Sequence, residues 1–152
     1  MTVLAVLQRS TLFKDFSETG LKIFAAIATE KAVPAGTPLF AENMVGESLF
    51  ILKSGTVRIT RREGTTEHEL ATLGPGEHLG ALALLAKSAR LVSAVAATPC
   101  EVVELSQRDF YRLQPQKPQA CLKLALAIAA DLAQRMSENR EALRALGVPP
   151  RV

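Results

Sequence analysis

The chain has 152 residues, of which 48% are apolar and 22% are charged, and its formal net charge is +3. This length predicts one domain with a hydrophobic core, spanning residues 1–152, and the composition excludes a disordered or fibrous chain. The basic residues are scattered along the sequence, so charge alone does not predict a nucleic-acid surface.

The first two thirds of the chain predict helices followed by short strands. Residues 1–30 are expected to be helical, and Ser17 is a candidate N-cap for a helix over residues 18–28. Apolar runs punctuated by glycine and proline fill residues 31–105, and about eight short strands at this spacing predict an antiparallel sandwich or barrel. The predicted strands cover residues 31–33, 38–40, 48–52, 56–61, 67–73, 91–97 and 100–105.

The segment that is most informative about function runs from Gly80 to Ser93, within the predicted strands. Glycine before a short apolar helical turn allows the backbone to approach a ligand, and the unpaired N–H groups of a helix start attract an anion. Arg90 would close such a site with a planar pair of donors, so the segment predicts a pocket for one small phosphate. The alternative is that the leucines of the segment are core residues and that Arg90 lies on the surface.

Residues 106–146 predict the C-terminal helices. Ser106 is a candidate cap for a helix over residues 107–113, and two prolines then precede a long helix over residues 119–146.

The long helix carries two apolar stripes. Leu124 and Ile128 are expected to face the chain's own barrel, whereas a second stripe repeats in steps of three and four, which is typical of a helical dimer seam. We therefore expect a homodimer in which Asn139 fixes the register, the alternative being an ordinary amphipathic helix packed on its own domain. The predicted seam consists of Leu122, Ala125, Ala129, Leu132, Met136, Asn139, Leu143 and Leu146.

The cysteines and the apolar segments bear on the cellular compartment. Cys100 and Cys121 lie in apolar surroundings without metal-ligand spacing, so both are expected to be buried and reduced, and no metal site is expected. The N-terminus has no charged leader, and the longest apolar run is interrupted by Lys123 and Asp131. We expect a cytoplasmic protein without a membrane segment.

Taken together, the order of elements and the spacing of glycines resemble the cyclic nucleotide-binding domain of the catabolite activator, protein kinase A regulatory subunit and ion-channel families. The resemblance covers nearly the whole chain. It implies a mainly β fold, an antiparallel double-stranded β-helix (a jelly-roll-like β-roll), with N-terminal helices and a long C-terminal helix. The glycines that carry it are Gly46, Gly55, Gly74, Gly76 and Gly80.

The same resemblance implies roles for the segment that begins at Gly80. The N–H groups of Ala81 and Leu82 and the side chain of Arg90 would hold the cyclic phosphate of cAMP or cGMP, and Ser93 falls where a small hydroxyl residue commonly lies beside the phosphate or base. The implied ligand-binding residues are Gly80, Ala81, Leu82, Arg90, Leu91, Val92 and Ser93.

The sequence departs from the family pattern at Ala81. A glutamate that accepts a hydrogen bond from the ribose hydroxyl usually stands there, and alanine has no acceptor. Such a bond is worth about 1.5 to 3 kcal/mol, or about ten- to a hundredfold in affinity. The bulkier Leu91 and Val92 also replace the small residues that usually follow the arginine.

Two functions follow as alternatives. The first is a regulatory module that binds a cyclic nucleotide, needs no cofactor, and signals through the C-terminal helix to a dimer or protein partner. The second is a degenerate domain in which Leu91 and Val92 fill the pocket and the protein acts by dimerisation or protein interaction alone. Direct DNA binding is not expected because the sequence ends shortly after the long helix, and His68 and His78 lack a recognised catalytic arrangement.

Overall fold

The computed structural model describes residues 1–141 of the chain. Within this range the fold consists of eight β-strands and four α-helices. No helix among these residues has both the length and the apolar character needed to cross a membrane. In chain order, the elements are α1 (Val3–Arg9), a 3₁₀ helix (Thr11–Phe13), α2 (Glu18–Ala25), β1 (Thr29–Val33), β2 (Pro38–Phe40), β3 (Ser48–Ser54), β4 (Val57–Glu63), β5 (Thr66–Leu73), β6 (His78–Leu79), a 3₁₀ helix (Ala81–Leu84), β7 (Ser93–Ala96), β8 (Cys100–Ser106), α3 (Gln107–Leu113) and α4 (Pro118–Glu138).

The strands form two four-stranded sheets, in the orders β1-β8-β3-β6 and β2-β7-β4-β5. All the strand pairings are antiparallel. One apolar cluster draws side chains from both sheets, among them Leu52 of β3, Val57 of β4 and Ala96 of β7, and so lies between the sheets. This arrangement confirms the predicted β-roll flanked by helices.

A second apolar cluster lies between the first sheet and the helices. Strand β3 shows how the two clusters are separated, because successive side chains of a strand point to opposite faces. Leu49 and Ile51 belong to the helix-facing cluster, whereas Phe50 and Leu52 belong to the cluster between the sheets. The strand is therefore buried on both faces, and the helices, including α4, pack on the outside of the sheet that ends at β6.

Several element boundaries differ from the predicted ones. Helix α2 ends at Ala25 rather than residue 28, and β1 begins at Thr29 because it pairs with β8 from Thr29 opposite Glu104 onward. Strand β7 begins at Ser93 rather than residue 91. Helix α4 ends at Glu138, and the predicted helix beyond residue 141 lies outside the described residues.

Candidate ligand-binding site

The glycine-led turn forms at the end of β6. Gly80 has a φ of 76° and precedes the 3₁₀ helix Ala81–Leu84. A side chain at this position would be strained by the positive φ, and its Cβ would lie 2.9 Å from the carbonyl oxygen of Ser48 and still closer to the guanidinium of Arg90. Glycine is thus required both by the backbone conformation and by the close approach of Arg90.

Arg90 is turned inward onto this turn. Its Nη1 donates to the carbonyl oxygen of Gly80 at 3.2 Å, and its Nη2 donates to the carbonyl oxygen of Ser48 at 2.7 Å. The guanidinium carbon lies 4.2 Å from the centre of the Phe40 ring, within the range of a cation–π contact. Gly46 packs against the same side chain, and a Cβ at this position would lie 2.6 Å from Nε of Arg90.

The electrostatic state of Arg90 follows from its burial. Burial lowers the pKa of the guanidinium below its ordinary value because the charged form is poorly solvated there. The Nε atom is buried and has no hydrogen-bond partner among the described residues. Arginine nevertheless keeps its charge in proteins. Within residues 1–141, the site therefore holds a positive charge whose hydrogen bonds go to neutral carbonyl groups.

A cavity of about 420 Å³ opens beside Arg90. It lies between the segment that begins at Gly80 and one face of α4, and its wall is largely apolar. Leu91 lines the edge of this cavity but is 80% exposed, so it does not fill the pocket as the degenerate-domain alternative requires. Six of the seven residues implied by the resemblance line the cavity, namely Gly80, Ala81, Leu82, Arg90, Leu91 and Val92.

Ser93 is placed elsewhere. It lies in β7, opposite Thr60 of β4, and its Oγ accepts a hydrogen bond from the backbone N–H of Glu42 at 2.9 Å. The side chain borders a different, polar cavity of about 360 Å³ together with Asn43. The structure thus separates Ser93 from the other predicted site residues, because the β2-β7-β4 pairing places it in the sheet.

Three polar side chains of the cavity were missed by sequence reasoning. His78 of β6, which is only 5% exposed, contacts the Oδ2 of Asp131 through its Nε2 at 3.0 Å. Arg135 donates from its Nε to the same Oδ2 at 3.0 Å. Asp131 and Arg135 have the i,i+4 spacing that predicts an ion pair on a helix. Nothing in the sequence links this pair to His78, which lies 53 residues before Asp131.

Helix α4 has the two faces that its sequence predicts. Leu124 and Ile128 are buried in the core, whereas Leu122, Leu132 and Met136 of the predicted seam are exposed. The other seam residues within the described range are Ala125, which is partly buried, and Ala129 and Asn139, which are exposed; Leu143 and Leu146 lie outside the described residues.

Asn139 lies at the C-terminal end of α4. It lies at the C-cap of α4 with a φ of −99° and a ψ of 12°, and its Nδ2 donates to the carbonyl oxygen of Arg135 at 2.7 Å. The side chain is therefore occupied with the helix end of its own chain, a common use of asparagine, which competes for backbone groups. The role of Asn139 in setting the register of a dimer seam stays a prediction.

Comparisons with known proteins agree with this geometry. The family model described as "Cyclic nucleotide-binding domain" matches residues 30–116. The chain is 33% identical over 130 residues to the cyclic AMP receptor protein of Thermus thermophilus, covering 85% of this chain and 58% of that protein. It is 34% identical over 105 residues to the cAMP-dependent protein kinase regulatory subunit of Eremothecium gossypii, covering 69% of this chain and 22% of that one.

Comparison with solved structures identifies a relative of the same kind. The crystal structure of the Thermus thermophilus catabolite activator protein superimposes with a TM-score of 0.80 and 32% identity, covering 91% of this chain and 63% of that one. The chain thus spans less than two thirds of each of these relatives.

Proposed function

The chain belongs to the cyclic nucleotide-binding domain family, and from this premise we propose that it is a regulatory module that binds cAMP or cGMP beside Arg90. The observation that carries the proposal is the guanidinium of Arg90, held against the Gly80 turn at the edge of a cavity of about 420 Å³. A cavity of this size falls within the range of small-molecule sites, which is about 300–1,000 Å³. A ligand with one phosphate and one flat aromatic base suits a cavity that has Arg90 at its edge and a largely apolar wall.

Phosphate capture follows from the bonds that Arg90 already makes. A phosphate at the Gly80 turn competes with the carbonyl oxygens of Gly80 and Ser48 for Nη1 and Nη2. A phosphate adds the attraction of opposite charges, which the neutral carbonyl oxygens lack, and arginine can bind it through two parallel hydrogen bonds. The exchange therefore favours the ligand and moves the guanidinium and the Gly80 turn together.

Ala81 provides the direct test of this function. We expect calorimetric titration of the wild-type protein to show binding of cAMP or cGMP, and Ala81→Glu to bind about ten- to a hundredfold more tightly because it supplies a charged acceptor at the cavity wall. Ala86→Glu, at an exposed position just after the 3₁₀ helix, is the matched control and should bind as the wild type does. No heat with either nucleotide at millimolar concentration, together with an unchanged melting temperature, would instead support a ligand-free interaction module.

Signal transmission is proposed to run through α4. Ile128 and Leu132 of this helix line the cavity, and Leu122 and Met136 are exposed on it. A ligand that contacts α4 more favourably in one position shifts the helix toward that position. We infer that the exposed stripe of α4 is the seam of a homodimer, so that ligand binding changes a contact between two copies or with a protein partner.

The dimer proposal makes its own prediction. The double variant Leu122→Glu with Met136→Glu places charges in the proposed seam, and burial of one such apolar side chain contributes about 1.5–3 kcal/mol. We expect the dissociation constant of the dimer, measured by sedimentation velocity, to rise at least about a hundredfold. Ala130→Glu, exposed on another face of α4, should leave it unchanged. A wild-type protein that sediments as a monomer at all concentrations would contradict the dimer.

A further inference from the structure

The 3₁₀ helix that follows Gly80 is bound by a side chain of α3. Inside the Gly80 turn, the N–H of Ala83 donates to the carbonyl oxygen of Gly80 at 3.1 Å. The carbonyl oxygen of Ala83 accepts from Nε2 of Gln107 at 2.8 Å. Gln107 lies 24 residues further along the chain and is the first residue of α3. The far end of the Gly80 turn is therefore tied to a different element of the fold.

The backbone of Gln107 is bound as well. Its N–H donates to the carbonyl oxygen of Glu47 at 2.8 Å. Glu47 directly precedes Ser48, whose carbonyl oxygen accepts from Nη2 of Arg90. Gln107 thus holds both backbone segments that bind the guanidinium, one through its side chain and the other through its N–H. These two bonds limit how far the carbonyl oxygens of Gly80 and Ser48, which Arg90 bridges, can move apart.

The side-chain amide of Gln107 has a defined orientation. Its Nε2 also lies 3.3 Å from the hydroxyl oxygen of Tyr111, one helical turn further along α3. An amide nitrogen carries two hydrogens, so it can donate to Ala83 and to Tyr111 at the same time. The side chain is partly buried, and the bond to Ala83 is therefore partly shielded from water. This bond requires a donor, which a carboxylate of the same shape does not offer.

Resting on the proposed function, we propose that Gln107 is a positioning residue for phosphate capture, whose Nε2 holds the Gly80 turn where its N–H groups lie beside Arg90. Gln107 is not among the residues that line the cavity, so it acts on the ligand through the turn. A turn that is already fixed loses less conformational freedom when the ligand binds, and this preorganisation raises affinity.

The test replaces the amide with a carboxylate. Gln107→Glu has nearly the same shape, but above its ordinary pKa of about 4.3 the carboxylate cannot donate to the carbonyl oxygen of Ala83. A negative charge at the first position of α3 suits the positive end of the helix dipole, so the helix itself is not weakened. In calorimetry at about pH 7.5, we expect Gln107→Glu to bind cAMP or cGMP about five- to thirtyfold less tightly than the wild type.

Protonation of this variant restores the donor. At about pH 4.5, roughly 40% of such a carboxyl group is protonated, and the wild-type affinity should exceed that of Gln107→Glu by less than about threefold. The comparison uses the ratio of the two affinities, because the other titratable groups occur in both proteins and their effects cancel. Those at this end of α3 are Glu47, Arg108, Asp109 and Tyr111.

Two further variants separate loss of the donor from gain of a charge. Gln107→Met removes the donor without adding a charge, so it should lose affinity by a similar factor at both pH values. Gln119→Glu makes the carboxylate replacement at an exposed position in the first turn of α4 and should bind as the wild type does. The measurement on Gln107→Met stands even if Gln107→Glu does not fold.

Two results would overturn the role of the Gln107 amide. If Gln107→Met binds as the wild type does, the loss in Gln107→Glu comes from repulsion of the phosphate by the carboxylate and not from a missing donor. If the loss in Gln107→Glu is the same at both pH values, restoring a donor does not restore the turn.

The inference and the proposed function fail in different ways. Binding of cAMP or cGMP by the wild type, with the same affinity in both variants at Gln107, removes only the role of this residue. Absence of binding by the wild type removes the proposed function and this inference with it.

Discussion

Replacing Arg90 with alanine is expected to weaken cyclic nucleotide binding by about a hundredfold or more. Loss of one partner from a buried, hydrogen-bonded charge pair costs about 2–5 kcal/mol, and each 1.4 kcal/mol corresponds to about tenfold. The variant also removes the donors that Arg90 supplies to the carbonyl oxygens of Gly80 and Ser48. Affinity is measured by calorimetry, and urea unfolding of the same sample separates this structural effect from the loss of binding.

Two further variants sharpen this result. Arg90→Lys keeps the charge but loses the two-pronged geometry, so its affinity should fall between those of the wild type and Arg90→Ala. Arg61→Ala removes an exposed arginine from β4 and is the matched control, which should bind as the wild type does. If Arg90→Ala binds cAMP and cGMP with wild-type affinity, the phosphate does not bind at the Gly80 turn.

The part of the site that could be predicted is the part that is local in sequence. Gly80 and Arg90 are ten residues apart, and both are residue types whose geometry limits what they do: glycine adopts a positive φ, and arginine offers paired donors. The segment therefore predicted a phosphate pocket closed by Arg90, with a surface Arg90 as the alternative, and the resemblance to the family favoured the pocket. Ser93 was expected beside the phosphate or base, but it does not line the cavity beside Arg90. The pairing of β7 with β4, and not the neighbours of Ser93 in sequence, decides where that side chain lies.

The part that could not be predicted depends on tertiary packing. Asp131 meets His78 only because α4 packs across the end of β6, and no local propensity encodes that crossing. Likewise, β1 begins at Thr29 because β8 extends alongside it, which overrides the helical periodicity of residues 18–28. By contrast, the caps at Ser17 and Ser106 were readable, since their hydroxyls accept from backbone N–H groups three residues ahead.

The two apolar stripes of α4 could be predicted only in part. Their spacing predicted that Leu124 and Ile128 would face the chain's own core, and both are buried there. The second stripe, with Leu122 and Met136, is exposed and apolar, as the proposed contact with a second copy requires. The helix is therefore anchored by one face while the other is open to an interaction, which is the arrangement that transmission through α4 requires.

The strength of that anchor sets the last prediction. Leu124 is fully buried, with 0% exposure, in the cluster that joins α4 to the first sheet. Truncation of such a leucine to alanine removes apolar contacts and leaves a cavity, which costs about 2–5 kcal/mol. We expect Leu124→Ala to lower the free energy of unfolding by this amount in a urea titration, a large fraction of the stability of a typical domain, which is about 5–15 kcal/mol.

Leu126 provides the matched control on the same helix. It is 61% exposed and lies two residues from Leu124, so Leu126→Ala should change the free energy of unfolding by less than about 0.5 kcal/mol. Equal effects of the two variants would mean that α4 is not anchored through Leu124. The helix could then leave the β-roll as a unit, and ligand binding could not act by shifting it between two packed positions.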